Sequence, residues 1–258
     1  MALVTDGLFG REDKVQIAIE RMQMFCPPEG YYLAFSGGKD SVVIMALAKQ
    51  AGVKFDAHYN ITGIDPPELY YFIRDQHPEV TRHRPEMNMW QLIKKKMIPP
   101  THVMRYCCEV LKENGGKGRH VMTGVRWAES NRRRQRRMNE VCVKAPLRRV
   151  LFHPILDWSE RDVWEYIKTY NVPYCRLYDE GFTRLGCIGC PMARRKQRER
   201  AFARWPRYKA KYLAAFAEVV KARQEKRLDK AYAEKYPQLV KWDTAEQLFE
   251  WWMRDRRK

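Results

Sequence analysis

One short segment constrains this chain more than any other, because it places a glycine-rich turn between a predicted strand and a predicted helix. The apolar run Tyr31 to Phe35 predicts a buried strand, and Val42 to Gln50 predicts a helix that Gly52 ends. The turn between them consists of Ser36, Gly37, Gly38, Lys39, Asp40 and Ser41. In an α/β sheet such a turn presents the amides of a helix N-terminus to a ligand, so the segment predicts an anion site.

The side chains of this turn indicate that the anion is a phosphate. Two adjacent glycines let backbone amides point toward one anion, and Lys39 with the hydroxyls of Ser36 and Ser41 adds side-chain donors. The spacing from glycine to lysine is too short for the GxxxxGK[ST] loop of kinases and GTPases. The turn resembles the SGGxDS loop of the PP-loop ATP-pyrophosphatases, which implies binding of ATP or an adenylyl nucleotide. For magnesium, Asp40 is the nearest acidic candidate.

Predicted strands and helices alternate along the chain. Strands are predicted at residues 54–59, 120–123, 141–144 and 150–155, and helices at 11–25, 68–75, 89–96 and 107–114. Ser159, with Asp162 three residues later, predicts a further helix start. The alternation favours an α/β fold with a mainly parallel twisted sheet flanked by helices. The resemblance of the turn to the PP-loop implies that this fold is similar to that of the adenine nucleotide α-hydrolases. Beyond residue 191 the composition predicts helices alone, broken near Pro206 and Pro237.

Several segments beyond the turn resemble the sulfonucleotide reductases, the family of the phosphoadenylyl-sulfate and adenylyl-sulfate reductases. Residues 61–63 and 66–68 are similar to that family's DTG...FPET segment, although an isoleucine replaces its acidic residue. Residues 124–133 are similar to its G-x-R...ES-x-x-R segment, and residues 153–181 to its PL-x-DW...DVW...L-Y-x-x-G pattern. The resemblance extends from Tyr31 to Cys190, which is most of the chain.

The resemblance assigns further residues to nucleotide binding and catalysis. The residues expected to border the pocket beside the turn are Thr62, Gly63 and Gly124. Arg126 and Arg133 provide planar donors suited to bidentate contact with phosphate or sulfate. We therefore predict that Lys39, Arg126 and Arg133 are catalytic and neutralise charge that develops on phosphate or sulfate oxygens.

Four of the seven cysteines form a pattern typical of a metal site. The metal ligands predicted from this pattern are Cys107, Cys108, Cys187 and Cys190. The CC...CxxC set resembles the [4Fe-4S] ligation of adenylyl-sulfate reductases, and four thiolates are what a cubane needs. Zinc is the alternative metal, but adjacent cysteines suit the corners of a cluster better than a single ion. Cys26, Cys142 and Cys175 are predicted to be small core residues.

The chain departs from the reductases after its last cysteine. The reductases use a late cysteine in an ECG-type segment to attack the sulfate sulfur, and this sequence has no cysteine after Cys190. Two basic segments, 132–137 and 194–212, stand out instead, the second with aromatic residues interleaved. Together with a formal net charge of +18, they predict contact with DNA or RNA. The alternative is an ordinary amphipathic helix with its aromatic residues in the core.

These observations predict two regions and one leading function. Residues 1–190 form a PP-loop nucleotide-binding domain with an iron-sulfur site, and residues 191–258 form a basic helical C-terminal region. The leading hypothesis is an enzyme that uses ATP or an adenylyl nucleotide for sulfur transfer, with a nucleic acid as one candidate acceptor. The alternatives are a reductase or sulfotransferase acting on adenylyl sulfate or phosphoadenylyl sulfate, and a nucleic-acid-binding accessory protein without turnover.

The expected location is the cytoplasm. The sequence has no apolar run near the roughly 20 residues of a membrane span and no signal-peptide pattern at its start. The oligomeric state stays open, with a homo-oligomer among the options.

Overall fold

A computed structural model describes residues 3–7, 10–143, 148–227, 234 and 242–254. The chain divides into two compact units, one built from residues 1–60, 67–83 and 114–185 and the other from residues 61–66, 84–113 and 186–258. The sequence-predicted boundary after residue 190 lies near the last passage from the first unit to the second. The second unit also includes residues 61–66 and 84–113, which lie within the predicted nucleotide-binding domain, 1–190.

The strands form a small hairpin and one large sheet, both in the first unit. The strands are, in chain order, β1 (Val4–Gly7), β2 (Gly10–Asp13), β3 (Tyr31–Ala34), β4 (Phe55–Asn60), β5 (Thr81–His83), β6 (His120–Met122), β7 (Asn139–Cys142) and β8 (Arg149–Phe152). The large sheet has the order β5-β4-β3-β6-β8-β7, and its neighbours are parallel except for the pair β7 and β8. The predicted α/β fold with a mainly parallel sheet is confirmed.

Helices make up most of the remaining described structure. They are α1 (Lys14–Met24), α2 (Lys39–Gln50), α3 (Pro67–Gln76), α4 (Met89–Lys96), α5 (Tyr106–Leu111), α6 (Asn131–Arg134), α7 (Glu160–Thr169), α8 (Arg195–Arg204), α9 (Pro206–Arg227) and α10 (Ala245–Met253). In the part of the chain that the structure describes, no helix is both long enough and apolar enough to cross a membrane.

The first helix begins later than its sequence pattern predicts. Residues 10–13 pair with residues 4–7 as the β1-β2 hairpin, so the helix predicted over 11–25 is only α1. Asp13 caps it, because its carboxylate accepts hydrogen bonds from the amides of Val15 and Gln16. The apolar stripe that predicted the helix is buried, as expected for the face that packs on the core.

Other boundaries follow local chemistry. The capping box of α7 is present as predicted, with Ser159 and Asp162 exchanging side-chain and backbone hydrogen bonds. Pro206 begins α9 directly after α8, which confirms the predicted break. Pro237 and Lys144, named in two predictions, lie outside the described residues.

The strand order locates the point where a ligand is expected. From β3 the chain adds β4 and then β5 on one side, and it then returns to place β6 and β8 on the other side. The order therefore reverses between β3 and β6. In open α/β sheets the crevice at the carboxyl ends of such a pair of strands is the usual ligand site. The glycine-rich turn follows β3, and Gly124 follows β6.

Candidate nucleotide site and cysteine cluster

The glycine-rich turn has a backbone that only glycine can supply at one position. Gly37 has φ +70°, and a Cβ there would lie 2.8 Å from side-chain atoms of Leu69 and Ile73 on α3. Gly38 is the N-cap residue of α2, and no side chain caps the helix. The N-cap residue itself therefore supplies no side-chain acceptor to the first turn of α2.

The two serines of the turn are engaged with the turn itself. The Ser41 hydroxyl donates to the carbonyl of Gly38 at 2.8 Å and accepts from the amide of Ser36 at 3.2 Å. The two serine hydroxyls also lie 3.2 Å apart. In this structure they stabilise the bend of the backbone, and their contact with a ligand stays a prediction.

Tyr178 was not predicted as a site residue, yet it contacts the turn. The amide of Lys39 donates to the Tyr178 hydroxyl oxygen at 2.9 Å. Burial raises the pKa of Tyr178, so its hydroxyl is neutral at physiological pH. The tyrosine therefore occupies one of the helix N-terminal amides as an uncharged acceptor.

Buried cations and two carboxylates form a closed ion-pair network beside the turn. Arg126 donates from Nε to Asp40 at 2.6 Å, from Nη2 to Glu160 at 2.8 Å and from Nη1 to the carbonyl of Trp158 at 3.3 Å. The Lys39 ammonium lies 3.3 Å from Glu160 and 3.5 Å from Asp40. Burial would lower the pKa of Arg126, but the two carboxylates outweigh it and the pKa is raised. Arg126 thus stays charged although it is fully buried.

The structure brings two of the predicted catalytic residues together and leaves the third apart. Gly124 packs so closely on the turn that a Cβ there would lie 2.9 Å from the backbone of Asp40. Arg133 instead pairs with Glu129, one helical turn earlier. Thr62 and Gly63 belong to the second unit. Their roles, and that of Arg133, stay predictions.

His153 is a buried titratable group in the same unit. Its Nδ1 lies 2.7 Å from the hydroxyl of Thr123, whereas its Nε2 has no hydrogen-bond partner within the described residues. Burial lowers the pKa of His153 to about 4. The imidazole is therefore neutral at pH 7.

The first cysteine pair lies on α5. Cys107 is buried, and the guanidinium of Arg105 donates to the sulfur of Cys108 at 3.3 Å. A hydrogen bond from Cys107 lowers the pKa of Cys108 to about 6, and the hydrogen bond from Arg105 acts in the same direction. This pair therefore includes one thiol that ionises readily.

The second pair lies in a tight turn of the second unit. The amide of Cys190 donates to the carbonyl of Cys187 at 3.1 Å, and Gly189 between them has φ +75°. Burial raises the pKa of Cys187 to about 12, although the nearby Lys112 ammonium opposes this. Lys112 also lies 3.5 Å from Asp65. A cation thus accompanies each cysteine pair.

The two pairs lie near each other in the second unit. Charges on Cys187 and Cys190 contribute to the raised pKa of Cys107, after its hydrogen bond with Cys108 and its burial. No group of three or more His, Cys, Asp or Glu side chains in the described ranges is arranged to hold one metal ion. The assignment of these four cysteines as metal ligands, and the choice between a cluster and zinc, stay predictions.

Most of the aromatic residues in the second basic segment are core residues. Trp205 and Tyr212 are buried, and the Tyr212 hydroxyl donates to the carbonyl of Ile188 at 3.0 Å. A Cβ on Gly189 would lie 2.8 Å from Phe202. Trp205 and Tyr212 therefore agree with the alternative interpretation, a helix with its aromatic residues in the core, and contact of this segment with DNA or RNA stays a prediction.

The first basic segment adjoins an exposed aromatic residue. The Trp127 side chain is 42% exposed although its indole nitrogen donates to the carbonyl of Arg136 at 2.8 Å. The arginines nearby that are exposed and have no ion-pair partner among the described residues are Arg132, Arg134 and Arg137. This surface presents a ring and free cations together.

The fold and the turn between β3 and α2 are those of the PP-loop superfamily. The chain matches the phosphoadenosine phosphosulfate reductase domain over residues 30–193, and it belongs to that family. A crystal structure of phosphoadenylyl-sulfate reductase from Candida auris in a phosphate complex shares the fold, with a TM-score of 0.50 and 18% identity. The match covers 66% of this chain and 87% of that one.

Curated relatives carry more than one description. A probable FAD synthase of Schizosaccharomyces pombe is 29% identical over 71% of this chain and 70% of its own length. An adenosine 5'-phosphosulfate reductase of Geobacillus kaustophilus is 25% identical over 67% of this chain and 77% of its own. An uncharacterised protein of Methanocaldococcus jannaschii is 33% identical over 62% of this chain. The chain matches only 35% and 47% of the lengths of two relatives from that organism.

Proposed function

We propose that this chain is a PP-loop enzyme that binds ATP or another adenylyl nucleotide at residues 36–41 and uses it for sulfur transfer. The observation that carries the proposal is the start of α2, where the N-cap residue Gly38 has no side chain and two buried cations lie beside it. FAD and adenosine 5'-phosphosulfate, which appear in the names of the relatives, both contain an adenosine 5'-phosphate group. That shared group supports an adenylyl ligand.

The proposed reaction begins at the α-phosphate of ATP. An acceptor oxygen attacks the α-phosphorus and pyrophosphate leaves; a sulfur donor then displaces AMP from the activated acceptor. Lys39 and Arg126 would stabilise the negative charge on the phosphate oxygens, because both are held in place before the ligand arrives. Asp40 is the nearest carboxylate for a magnesium ion that accompanies the phosphates.

The four clustered cysteines would hold a [4Fe-4S] cluster. Their thiolates form the donor set, and Arg105 and Lys112 would offset its negative charge. When bound, such a cluster would supply redox or sulfur-handling chemistry that protein side chains lack. Brown protein with about four irons per chain after anaerobic purification is expected; colourless protein with stoichiometric zinc would contradict this assignment.

A nucleic acid is the acceptor that the surface favours. Trp127 offers an exposed ring to an unstacked base, and Arg132, Arg134 and Arg137 offer cations to phosphates. Trp127 also directly follows Arg126, which contacts the glycine-rich turn through Asp40. An acceptor held on this surface would therefore be close to the proposed nucleotide.

A pyrophosphate-release assay tests the proposal. Anaerobically prepared protein is given ATP and sulfide, with DNA, with tRNA, or with neither. We expect release that depends on one polymer and that Lys39→Ala abolishes. Polymer binding without release would instead indicate an accessory protein, and failure of ATP to bind would contradict the proposed site.

Reduction of adenylyl sulfate is the second candidate. An adenosine 5'-phosphosulfate reductase of Neisseria meningitidis is 56% identical over 39 residues, although these are only 15% of this chain. The 258 residues contain no cysteine after Cys190, so the attacking thiol would have to come from another position. Release of sulfite from adenylyl sulfate, with a reductant supplied, would favour this candidate over sulfur transfer.

A further inference from the structure

The anion site beside the glycine-rich turn is electrically balanced by the protein itself. Lys39 and Arg126 each carry one positive charge, and Asp40 and Glu160 each carry one negative charge. The distances in this network, from 2.6 to 3.5 Å, make every member a direct partner of an opposite charge. The four charges sum to zero, so a polyphosphate approaching the network meets no net positive charge.

One of the two carboxylates is better placed to leave. Asp40 lies in the first turn of α2, is 22% exposed and is hydrogen-bonded to the Nε of buried Arg126 at 2.6 Å. Glu160 begins α7, has the longer side chain and is 55% exposed. Rotation of Glu160 into water would release Lys39 and Arg126 together, and Asp40 would remain to neutralise one of them. An exposed carboxylate also loses little hydration when it forms such pairs, so they are weak.

Glu160 contacts the two cations in the way that an anionic ligand could. Its two oxygens contact the two cations separately, with Oε1 near Lys39 and Oε2 near Arg126. A phosphate or sulfate group can make the same pair of contacts, since it too presents several oxygens on one centre.

We infer that Glu160 is a carboxylate latch, which occupies the anion position between Lys39 and Arg126 and swings out when the phosphates of the ligand arrive. This inference rests on the proposed nucleotide site and adds a residue that lowers its affinity. Glu160 acts through the two cations and is a positioning residue. It prevents weakly held anions from remaining in the site, because a ligand must first displace it.

Calorimetric titration of Glu160→Gln tests the latch. The amide keeps the size of the side chain but removes the charge that competes for the two cations. With ATP or inorganic pyrophosphate as the probe, in EDTA, we expect about tenfold tighter binding than to the unsubstituted protein, the size expected when two partly exposed ion pairs stop competing. Glu160→Asp, which keeps the charge, should restore the weaker binding.

Two controls separate the latch from a general charge effect. Glu20→Gln removes a carboxylate from the exposed side of α1 and should leave anion affinity unchanged. Adding Lys39→Met to Glu160→Gln should remove most of the gain, because one of the released cations is then missing. A gain of equal size in Glu20→Gln would overturn the inference.

The outcomes also distinguish the latch from the proposed function. If Glu160→Gln binds ATP no more tightly than the unsubstituted protein in EDTA, and the unsubstituted protein binds ATP normally, the latch alone is overturned. If a second titration shows that the substitution weakens binding only when magnesium is present, Glu160 is a metal ligand and the latch is overturned as well. Pyrophosphate binding by the variant, with no ATP binding by either protein, supports the latch and contradicts the nucleotide site. If neither protein binds either anion, both ideas fail.

Discussion

The two units bury their reactive groups in opposite ways: the first at the glycine-rich turn, the second at the four clustered cysteines. In the first, buried Lys39 and Arg126 already have carboxylate partners. In the second, four cysteines come together near two cations, Arg105 and Lys112. The first site pairs its charges within the protein, whereas the second gathers thiols that the proposed cluster would bind.

This difference indicates which of the two sites should depend on its ligand for folding stability. A closed ion-pair network lowers the free energy of unfolding little when no nucleotide is bound, because each charge has a partner. Clustered thiols that must ionise near each other repel, and a metal removes that repulsion. We therefore expect nucleotide binding to change the free energy of unfolding of the first unit only slightly. Loss of the proposed cluster should lower the free energy of unfolding of the second unit strongly.

Substitution of one cluster cysteine is expected to have the largest effect. If the four cysteines hold the proposed cluster, Cys187→Ser should remove most of the bound iron and lower the melting temperature of the second unit, because the fold then loses the stabilisation that the metal would provide. Iron analysis and thermal unfolding under anaerobic conditions measure both. Cys142→Ser, a half-buried cysteine of the first unit, is the matched control. Equal iron content in the two variants would remove the contrast between the sites.

Loss of the central cation of the ion-pair network is expected to have the next largest effect. Arg126→Met should lower the free energy of unfolding by about 3 kcal/mol, because Asp40, which is only 22% exposed, then keeps Lys39 as its one charged partner in the network. Chemical denaturation at pH 7 measures the change. Arg133→Met removes a half-buried arginine that pairs with Glu129 and should cost less than about 1 kcal/mol. Similar losses of unfolding free energy in Arg126→Met and Arg133→Met would show that Arg126 contributes no more to stability than an ordinary surface ion pair.

The smallest expected effect is a pH dependence of the free energy of unfolding that comes from His153, a buried group of the first unit that is not part of the ion-pair network. The folded pKa of His153, about 4, lies below its unfolded value of about 6.5. The contribution of His153 to the free energy of unfolding is therefore fully present above pH 6.5 and is lost as the pH falls toward 4. At pH 5 the loss is about 2 kcal/mol. His153→Gln, which does not titrate, should flatten this decline in denaturation measured between pH 7.5 and 5. The same slope in both proteins would assign the loss to other groups.

Much of the fold could be predicted, because its central elements have strong local patterns. The strand, turn and helix at 31–50 and the apolar stripe of α1 are examples. The β1-β2 hairpin and β5 could not be predicted, since they are short and lack an apolar alternation. The three residues of β5 are exposed, and its order comes from pairing with β4.

The candidate site was predictable only where one segment supplied it. Lys39 and Asp40 follow from the turn, and Arg126 from a neighbouring motif. Glu160 was missed because an acidic residue at the start of a helix is usually explained by the helix dipole. Tyr178 was missed because nothing in its segment indicates an approach to the amide of Lys39. Contacts between residues more than a hundred positions apart have no local signal.

The second unit is assembled from three separate stretches of sequence, and this has a consequence for where the chain can be cut. The aromatic rings that surround Gly189, between the second pair of cysteines, come from α8, α9 and α10. A protein shortened at residue 190 would retain all four thiols but lose the three rings that pack against Gly189, those of Phe202, Tyr212 and Trp252. The conformation of the turn that carries Cys187 and Cys190 would then lack its support, so the C-terminal helices belong to the structure of the sulfur site.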